Sequence, residues 1–297
     1  MHCFFANMHN NIMLNEYCVT DMALESAEGV DLSNYATQKK LSYGIEKRIV
    51  NIKSVELAKI IGKDRGVYIT LDCKKSVLEG KTTMNYLSAC ISDCVRELVG
   101  ILKKSSPILV VGLGNRNIVS DALGDKVVSQ INVARAHDTT AKAKLCAISP
   151  GVLGTTGMQT SKIVSAIADK INPSVVILID ALATSCAKRL GCSFQISNSG
   201  ISPGSGVGQE KERIDKSILG VPTICIGVPM MLSLRTSIYA FLKDYLQDEK
   251  IDINEFSLRQ KMSEESLSNL VVAPKDVDYL VSLCSKTIAN ALNGAFA

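Results

Sequence analysis

Uninterrupted apolar runs alternate with segments of helical periodicity through most of the chain. The runs at 108–112, 144–148, 175–179 and 223–227 carry few polar residues, as strands covered on both faces do. Leu87, Ile91, Val95, Leu98 and Leu102 recur at three- and four-residue intervals and predict an amphipathic helix over 84–103. Further helices are expected at about 121–133, from the 150–157 loop to Ile171, near 181–190, at about 231–246 and over 276–292, the last just after Pro274. Upstream, 48–53 and 66–72 read as strands around a short helix near 55–61, with Gly62 suited to end it. A short strand follows at 193–196. The alternation predicts an α/β fold with a largely parallel or mixed central sheet and helices on both faces. Residues 1–40 are polar and weakly patterned, and a flexible arm or extension is expected there. The charged, irregular stretch 248–268 is expected to be a surface loop or linker.

Composition narrows the picture. The chain has 297 residues, enough for one large α/β domain or two small ones, and 46% of them are hydrophobic. Trp is absent, so the core must be mainly aliphatic. Thirty-three basic and 29 acidic side chains leave a formal charge of +4, too balanced to predict a nucleic-acid-binding face. Ten cysteines contain no Cys-x-x-Cys pair. Cys90 with Cys94, and Cys186 with Cys192, read as small apolar core residues, and such scattered thiols fit a reducing compartment. There is no signal-peptide pattern and no apolar run of membrane-spanning length, so a soluble, intracellular protein is expected.

Two aspartates carry the candidate chemistry. The run Ile-Leu-Val-Val-Gly-Leu-Gly-Asn ends at Asn115, and Asp121 heads the next expected helix; the run Val-Val-Ile-Leu-Ile ends at Ile179, and Asp180 follows at once. Ligands of open parallel sheets bind beyond the carboxyl ends of the strands. Two carboxylates at that edge can share one proton and activate a water. Taken singly, Asp121 also reads as a helix N-terminal acid, and Asp180 as a strand-end acid bound to neighbouring backbone.

The loops leave several readings open. Gly112-Leu-Gly114 fails the dinucleotide fingerprint at Asn117. Gly151, Gly154 and Gly157, with Thr155 and Thr156, resemble a phosphate loop without its lysine; they read either as a tight turn with a capping threonine or as amides for a substrate carbonyl or its oxyanion. The glycine-rich stretch 198–208, including Gly204 and Gly206, suits a peptide substrate, a subunit contact or a surface turn. The only histidines are His2, His9 and His137, so a Ser-His-Asp triad or a Cys-His pair would depend on His137, and a three-histidine zinc site is implausible. No cofactor is expected.

Several blocks in order resemble the germination protease family of endospore-forming bacteria: Val-Gly-Leu-Gly-Asn…Asp-Ala-Leu-Gly (111–124), Pro-Gly-Val-Leu-Gly-Thr-Thr-Gly (150–157), Ile-Asp-Ala-Leu-Ala (179–183), Gly-Ile-Ser-Pro-Gly-Ser-Gly-Val-Gly (200–208), Ile-Gly-Val-Pro (226–229) and Val-Val-Ala-Pro-Lys-Asp-Val-Asp (271–278). The resemblance covers roughly residues 17–293. It implies an endopeptidase that degrades small acid-soluble spore proteins during germination, located in the forespore or spore core, assembled as a homotetramer, with no direct nucleic-acid or membrane partner. It also implies a phosphorylase/hydrolase-like fold shared with hydrogenase-maturation peptidases, and a catalytic aspartate pair at Asp121 and Asp180. Tyr-Cys-Val-Thr-Asp-Met-Ala-Leu-Glu (17–25) resembles the family's self-processing site, which implies a propeptide 1–21 cut between Asp21 and Met22 and a peptidase domain over 22–297. Acid, apolar residue, alanine and a later Glu also resemble its substrate site. Asn198 and Ser202 stand where the family pattern has Asp and His. Two rival readings are a metal-assisted peptidase recruiting Asp121, Asp180 and His137, and an inactive sporulation homologue.

Overall fold

The computed structural model describes residues 20–28, 30–101, 107–133, 145–202, 213–235, 237–238, 241–242, 245 and 270–296. The elements, in chain order, are α1 (Ala23–Ser26), β1 (Ala36–Lys40), β2 (Glu46–Ile52), α2 (Val55–Ile61), β3 (Gly66–Asp72), α3 (Lys75–Glu79), α4 (Lys81–Val99), β4 (Ile108–Gly112), α5 (Leu123–Val128), β5 (Leu145–Ile148), α6 (Leu153–Thr156), α7 (Thr160–Ile171), β6 (Val175–Thr184), β7 (Ser193–Ser197), α8 (Lys216–Leu219), β8 (Thr223–Ser233), β9 (Val271–Val272) and α9 (Val277–Phe296). The strands form one nine-stranded mixed sheet in the order β1-β2-β3-β7-β8-β6-β4-β5, with β9 also paired to β8. The neighbours β5, β4, β6 and β8 run parallel; β1, β2, β3, β7 and β8 run antiparallel in sequence.

Side-chain alternation assigns the two faces. On one face Ile177, Ile179, Phe194, Ile196, Ile224 and Ile226 pack under α3, α4, α5 and α9. On the other, Val176, Leu178 and Cys225 pack under α7 and α8, while Val50, Ile52 and Tyr68 pack under α1 and α2. Helices therefore cover both faces, as expected of an α/β sheet with continuous apolar strands. Local signals end the helices where the chain predicts. Ser54 caps α2 by accepting the Leu57 N–H at 3.0 Å, and Gly62 closes it in the left-handed region at φ 69°.

Three expectations are corrected. The helix expected near 181–190 is instead the second half of β6, followed by a 3-10 turn at Ala187–Arg189. Asp180 to Thr184 pair with β8, and all ten β6 residues are buried, so tertiary pairing overrides the helical leaning of Ala-Leu-Ala. Asp180 thus lies inside its strand, not past its end. Strand β8 likewise runs to Ser233 where a helix was expected from 231; the described residues beyond it, 234–235, 237–238, 241–242 and 245, are helical as expected. Pro229 is tolerated there because β7 pairs no further than Gly227 and β8 itself is bulged at Met230, between the Leu182–Pro229 and Ala183–Met231 pairs. Finally, residues 20–28 and 30–40 are part of the fold: α1 is buried and β1 is an edge strand. Strand β1 is polar and exposed along nearly its whole length, so no hydrophobic pattern announces it. Residues 1–19, His137, the 203–212 loop with Gly204 and Gly206, and the stretch 248–268 lie outside the described residues.

Candidate active site

Glycines build the corner that carries Asp121. Strand β4 ends at Gly112, and the chain turns back through a 3-10 turn at Val119–Asp121 into α5. A Cβ on Gly112 would lie 2.3 Å from the Gly124 carbonyl oxygen, and one on Gly124 would lie 2.4 Å from the Leu113 carbonyl oxygen. Gly114, at φ +99°, would collide with the Asp121 carbonyl oxygen at 2.1 Å. Only side-chain-free backbone lets the 112–114 turn and the 121–124 turn approach this closely. The result presents the Asp121 carboxylate to the Asn115 N–H, which it accepts at 2.7 Å. The neighbouring Leu113 N–H donates to the Ile179 carbonyl at 2.8 Å, which sets Asp180 beside the same turn. Arg116 ties the corner to the next loop, with an ion pair to Asp125 at 3.2 Å and a hydrogen bond to the Ser149 carbonyl at 3.4 Å.

Asp180 sits in the middle of the sheet at only 5% exposure, and its carboxylate accepts the Ala181 N–H at 3.0 Å. Gly227 of β8 pairs with Asp180 on one side and with Gln195 of β7 on the other, so Asp180 and Gln195 share one cross-strand row and one face. At the usual strand spacing their Cα atoms are about 10 Å apart. Gly227 leaves the space between them to the Leu182 side chain, which a Cβ there would meet at 2.4 Å. A cleft of about 310 Å³ opens on this face, lined by Tyr68, Leu182, Gln195, Ser197, Cys225 and Gly227 of the sheet, with Lys63, Ser199 and Ser202 at its sides.

The chain's own Thr20–Ser26 segment borders that cleft, with Thr20, Asp21 and Ser26 in its lining. The Asp21 N–H donates to the Ala183 carbonyl at 3.0 Å, and the Ala183 N–H returns a bond to the Asp21 carboxylate at 2.8 Å. Gln195 grips both sides of Met22: its Nε2 donates to the Asp21 carbonyl at 3.1 Å, and its Oε1 accepts the Ala23 N–H at 2.8 Å. Lys63 Nζ donates to the Thr20 carbonyl at 2.7 Å. Met22 and Ala23 are fully buried. The bond between Asp21 and Met22 is therefore held against the strand that carries Asp180.

Electrostatics separate the anchoring groups from the others. Burial pushes the Glu25 carboxyl up, but the Ser185 N–H, the Thr184 and Thr20 hydroxyls and the Arg189 charge outweigh it and hold the carboxyl below its ordinary value. Burial pushes the Lys63 ammonium down, against the opposing pull of Asp21, Glu25 and Asp64. Burial, with the Asp180 charge behind it, pushes the Cys225 thiol far up, which disqualifies it as a thiolate nucleophile. In the 150–157 loop the amides of Thr155, Thr156 and Gly157 are used inside the turn, and Thr160 Oγ1 donates to the Gly151 carbonyl at 3.0 Å. Ser149 Oγ and Gln159 Oε1 flank this loop, buried and without a partner among the described residues.

Sequence reasoning placed Asp121 and Asp180 at one sheet edge; the turns after the parallel strands β4 and β5 carry Asp121 and the 151–157 loop, while Asp180 lies inside β6, one residue beyond the end of its pairing with β4. It missed Gln195, Lys63 and Arg189. A signal for Gln195 was present: buried polar residues alternate with apolar ones in Ser-Phe-Gln-Ile-Ser. Of the two departures, Asn198 is exposed and its Oδ1 accepts the Val67 N–H at 2.9 Å, whereas Ser202 lines the cleft. Among the described residues no three His, Cys, Asp or Glu side chains cluster as metal ligands, and no helix is long and apolar enough to cross a membrane.

Comparison with known proteins yields a consistent set of relatives. A family model described as germination protease matches residues 11–265. A germination protease from Clostridium perfringens is 34% identical over 306 residues, covering 92% of this chain and 93% of the relative. One from Caldanaerobacter subterraneus is 35% identical over 305 residues, covering 92% of each. One from Bacillus licheniformis is 30% identical over 349 residues, covering 95% of this chain and 94% of the relative. Among solved structures, a [NiFe] hydrogenase maturation protease from Thermococcus kodakarensis aligns with a TM-score of 0.36 at 14% identity, over 67% of this chain and 98% of that one.

Proposed function

The chain belongs to the germination protease family, a family of endopeptidases, and on that premise we propose that it is a self-processing zymogen that degrades small acid-soluble spore proteins inside the germinating spore. The observation that carries this reading is the Asp21–Met22 bond, gripped by Gln195 and laid along the strand of Asp180. Self-cleavage there releases residues 1–21 as a propeptide and leaves a peptidase of residues 22–297.

Asp121 and Asp180 act as a pair that holds one proton, because two carboxylates on one site do not both ionise cheaply. The ionised member takes a proton from water, whose oxygen attacks the scissile carbonyl carbon. The protonated member hydrogen-bonds the carbonyl oxygen as charge builds on it. Gln195 Nε2 already lies on that carbonyl, and the amides of Gly151, Leu153 and Gly154 are assigned as further donors; Gly204 and Gly206, the other candidates, lie outside the described residues. Collapse of the tetrahedral intermediate breaks the C–N bond, and the departing amine takes the proton back. No cofactor enters the scheme. The active species is a homotetramer; exposed Ile118, Val119, Leu153 and Met158 are apolar surface that an assembly covers. Its partners are spore proteins, with neither nucleic acid nor membrane bound directly.

The test is to make Asp121→Asn and Asp180→Asn in the full chain. Each is expected to lower both self-processing, followed by mass, and spore-protein cleavage by about 10³-fold or more, the scale of lost acid–base catalysis. Full activity in either variant overturns the mechanism.

A further inference from the structure

Three thiols gather where β3 ends and β7 begins. Side chains alternate along this antiparallel ladder: Leu71 and Phe194 face the large core, while Asp72 and Ser193 face away from it and share a hydrogen bond. The pairing runs one residue further than the strands themselves. The Cys73 N–H donates to the Cys192 carbonyl at 2.8 Å, so Cys73 lies opposite Cys192 and both return to the core side. Residues opposed in this hydrogen-bonded way have Cα atoms about 5.5 Å apart. Disulfides span Cα separations of about 4.4–6.8 Å. Both thiols are free and partly exposed. The third, Cys284 of α9, is fully buried and donates to the Gly191 carbonyl at 3.4 Å, so it is out of reach of solvent.

The pair sits at the foot of a working turn. The Cys192 N–H donates to the Arg189 carbonyl at 3.0 Å, and the Gly191 N–H donates to the Pro229 carbonyl at 2.8 Å. The Arg189 side chain holds Glu25 of α1 at 2.7 Å. We propose that Cys73 and Cys192 are an oxidation site, which a hydroperoxide closes into a reversible cross-strand disulfide that braces the Arg189 turn against β3. The Cys192 sulfur attacks the peroxide, the O–O bond breaks, and a sulfenic acid forms as one water leaves. The Cys73 sulfur then displaces the hydroxyl, the S–S bond forms and a second water leaves. Two thiols lose two electrons and two protons, and the peroxide is reduced. An external dithiol reverses the bond by exchange. Burial, with Cys192 and Asp72 beside it, holds the Cys73 thiol far above its ordinary value. Burial also raises Cys192, but there the Lys75 charge pulls back, which makes Cys192 the first of the two to ionise. None of this depends on the aspartate reading.

The test treats the reduced full chain with hydrogen peroxide, blocks the remaining thiols by alkylation and digests it without reductant. Mass mapping is expected to show the Cys73 and Cys192 peptides joined, and parted again by dithiothreitol. The oxidised chain should unfold at a midpoint raised by about 5 °C or more, because the bond closes a long loop. Amide exchange across residues 186–192 should slow by about tenfold or more. Cys73→Ser and Cys192→Ala should each abolish the link and both shifts. Recovery of both thiols alkylated, oxidation that stops at a sulfinic acid, or a link from either thiol to another cysteine overturns the site. A link that leaves the midpoint and the exchange unchanged overturns the brace. The mapping is made on the unaltered chain, so it decides the question even where a variant fails to fold.

Discussion

The two walls of the cleft are made from the chain in different ways. The wall with Leu182 and Gly227 comes from the parallel half of the sheet, next to the turn of Asp121 and the strand of Asp180, where glycines let backbone pack on backbone. The facing wall draws on Thr20, Lys63, Tyr68 and Gln195, residues far apart in the chain that meet only when the antiparallel half and the N-terminal segment close together. The first wall fixes carboxylates to a rigid frame of few degrees of freedom. The second presents amides, hydroxyls and an ammonium to a peptide main chain. Under the proposed function, rigid positioning of reacting groups and adaptable reading of a polymer are separate tasks, and the two halves of the sheet would divide them.

The largest test of this division is Gly114→Ala. A Cβ 2.1 Å from the Asp121 carbonyl, at φ +99°, must displace the corner, so a loss of about 2 kcal/mol or more is expected by denaturant unfolding, together with loss of cleavage. Gly220→Ala is the matched control: its φ is +68° but the space around it is open, and a cost of about 1 kcal/mol is expected with activity kept. If Gly114→Ala is no worse than that control, the rigid-frame account of the parallel wall is wrong. Next in size is Gln195→Ala on the reading wall. Self-processing should slow by about 10²-fold, as for removal of one oxyanion donor, with little change in global stability. An unchanged rate would reduce Gln195 to a structural clamp.

The smallest effect is set by pH. Glu25 is held below its ordinary carboxyl value of 4.5, so its docking is fully present above that value and is lost as pH falls through the lower, folded-state value. Protection of residues 22–28 against hydrogen exchange, taken relative to the intrinsic rate at each pH, should hold near neutrality and be lost only below the ordinary carboxyl value of 4.5. Opening that begins near neutrality would show that Glu25 is not what holds the segment.

The same division governs what could be read from the chain. Corner glycines, apolar parallel strands and the helices α2, α4 and α9 are local patterns, and all were legible. Asp180 was recognised but misplaced, because the apolar run stops at a charge while the strand does not; only its pairing with Gly227 reveals the continuation. Strand β1 was invisible because an exposed polar edge strand has no hydrophobic period to show. The contact of Arg189 with Glu25 spans 164 residues, so the acidic spacing after Asp21 was visible but its receptor was not.

Strand β6 outruns β4: their pairing ends at Gly112 with Ile179, and Asp180 to Thr184 continue without that neighbour. Ala183, within this overhang, offers its amide and carbonyl to Asp21. Such an edge is a template for any extended chain that reaches it, and here the protein's own beginning covers it. Under the proposed cut after Asp21, loss of the residues before it would turn a capped edge into a vacancy of the same shape, open to strand addition by a foreign peptide. Covering and admission would then be one event seen before and after that cut.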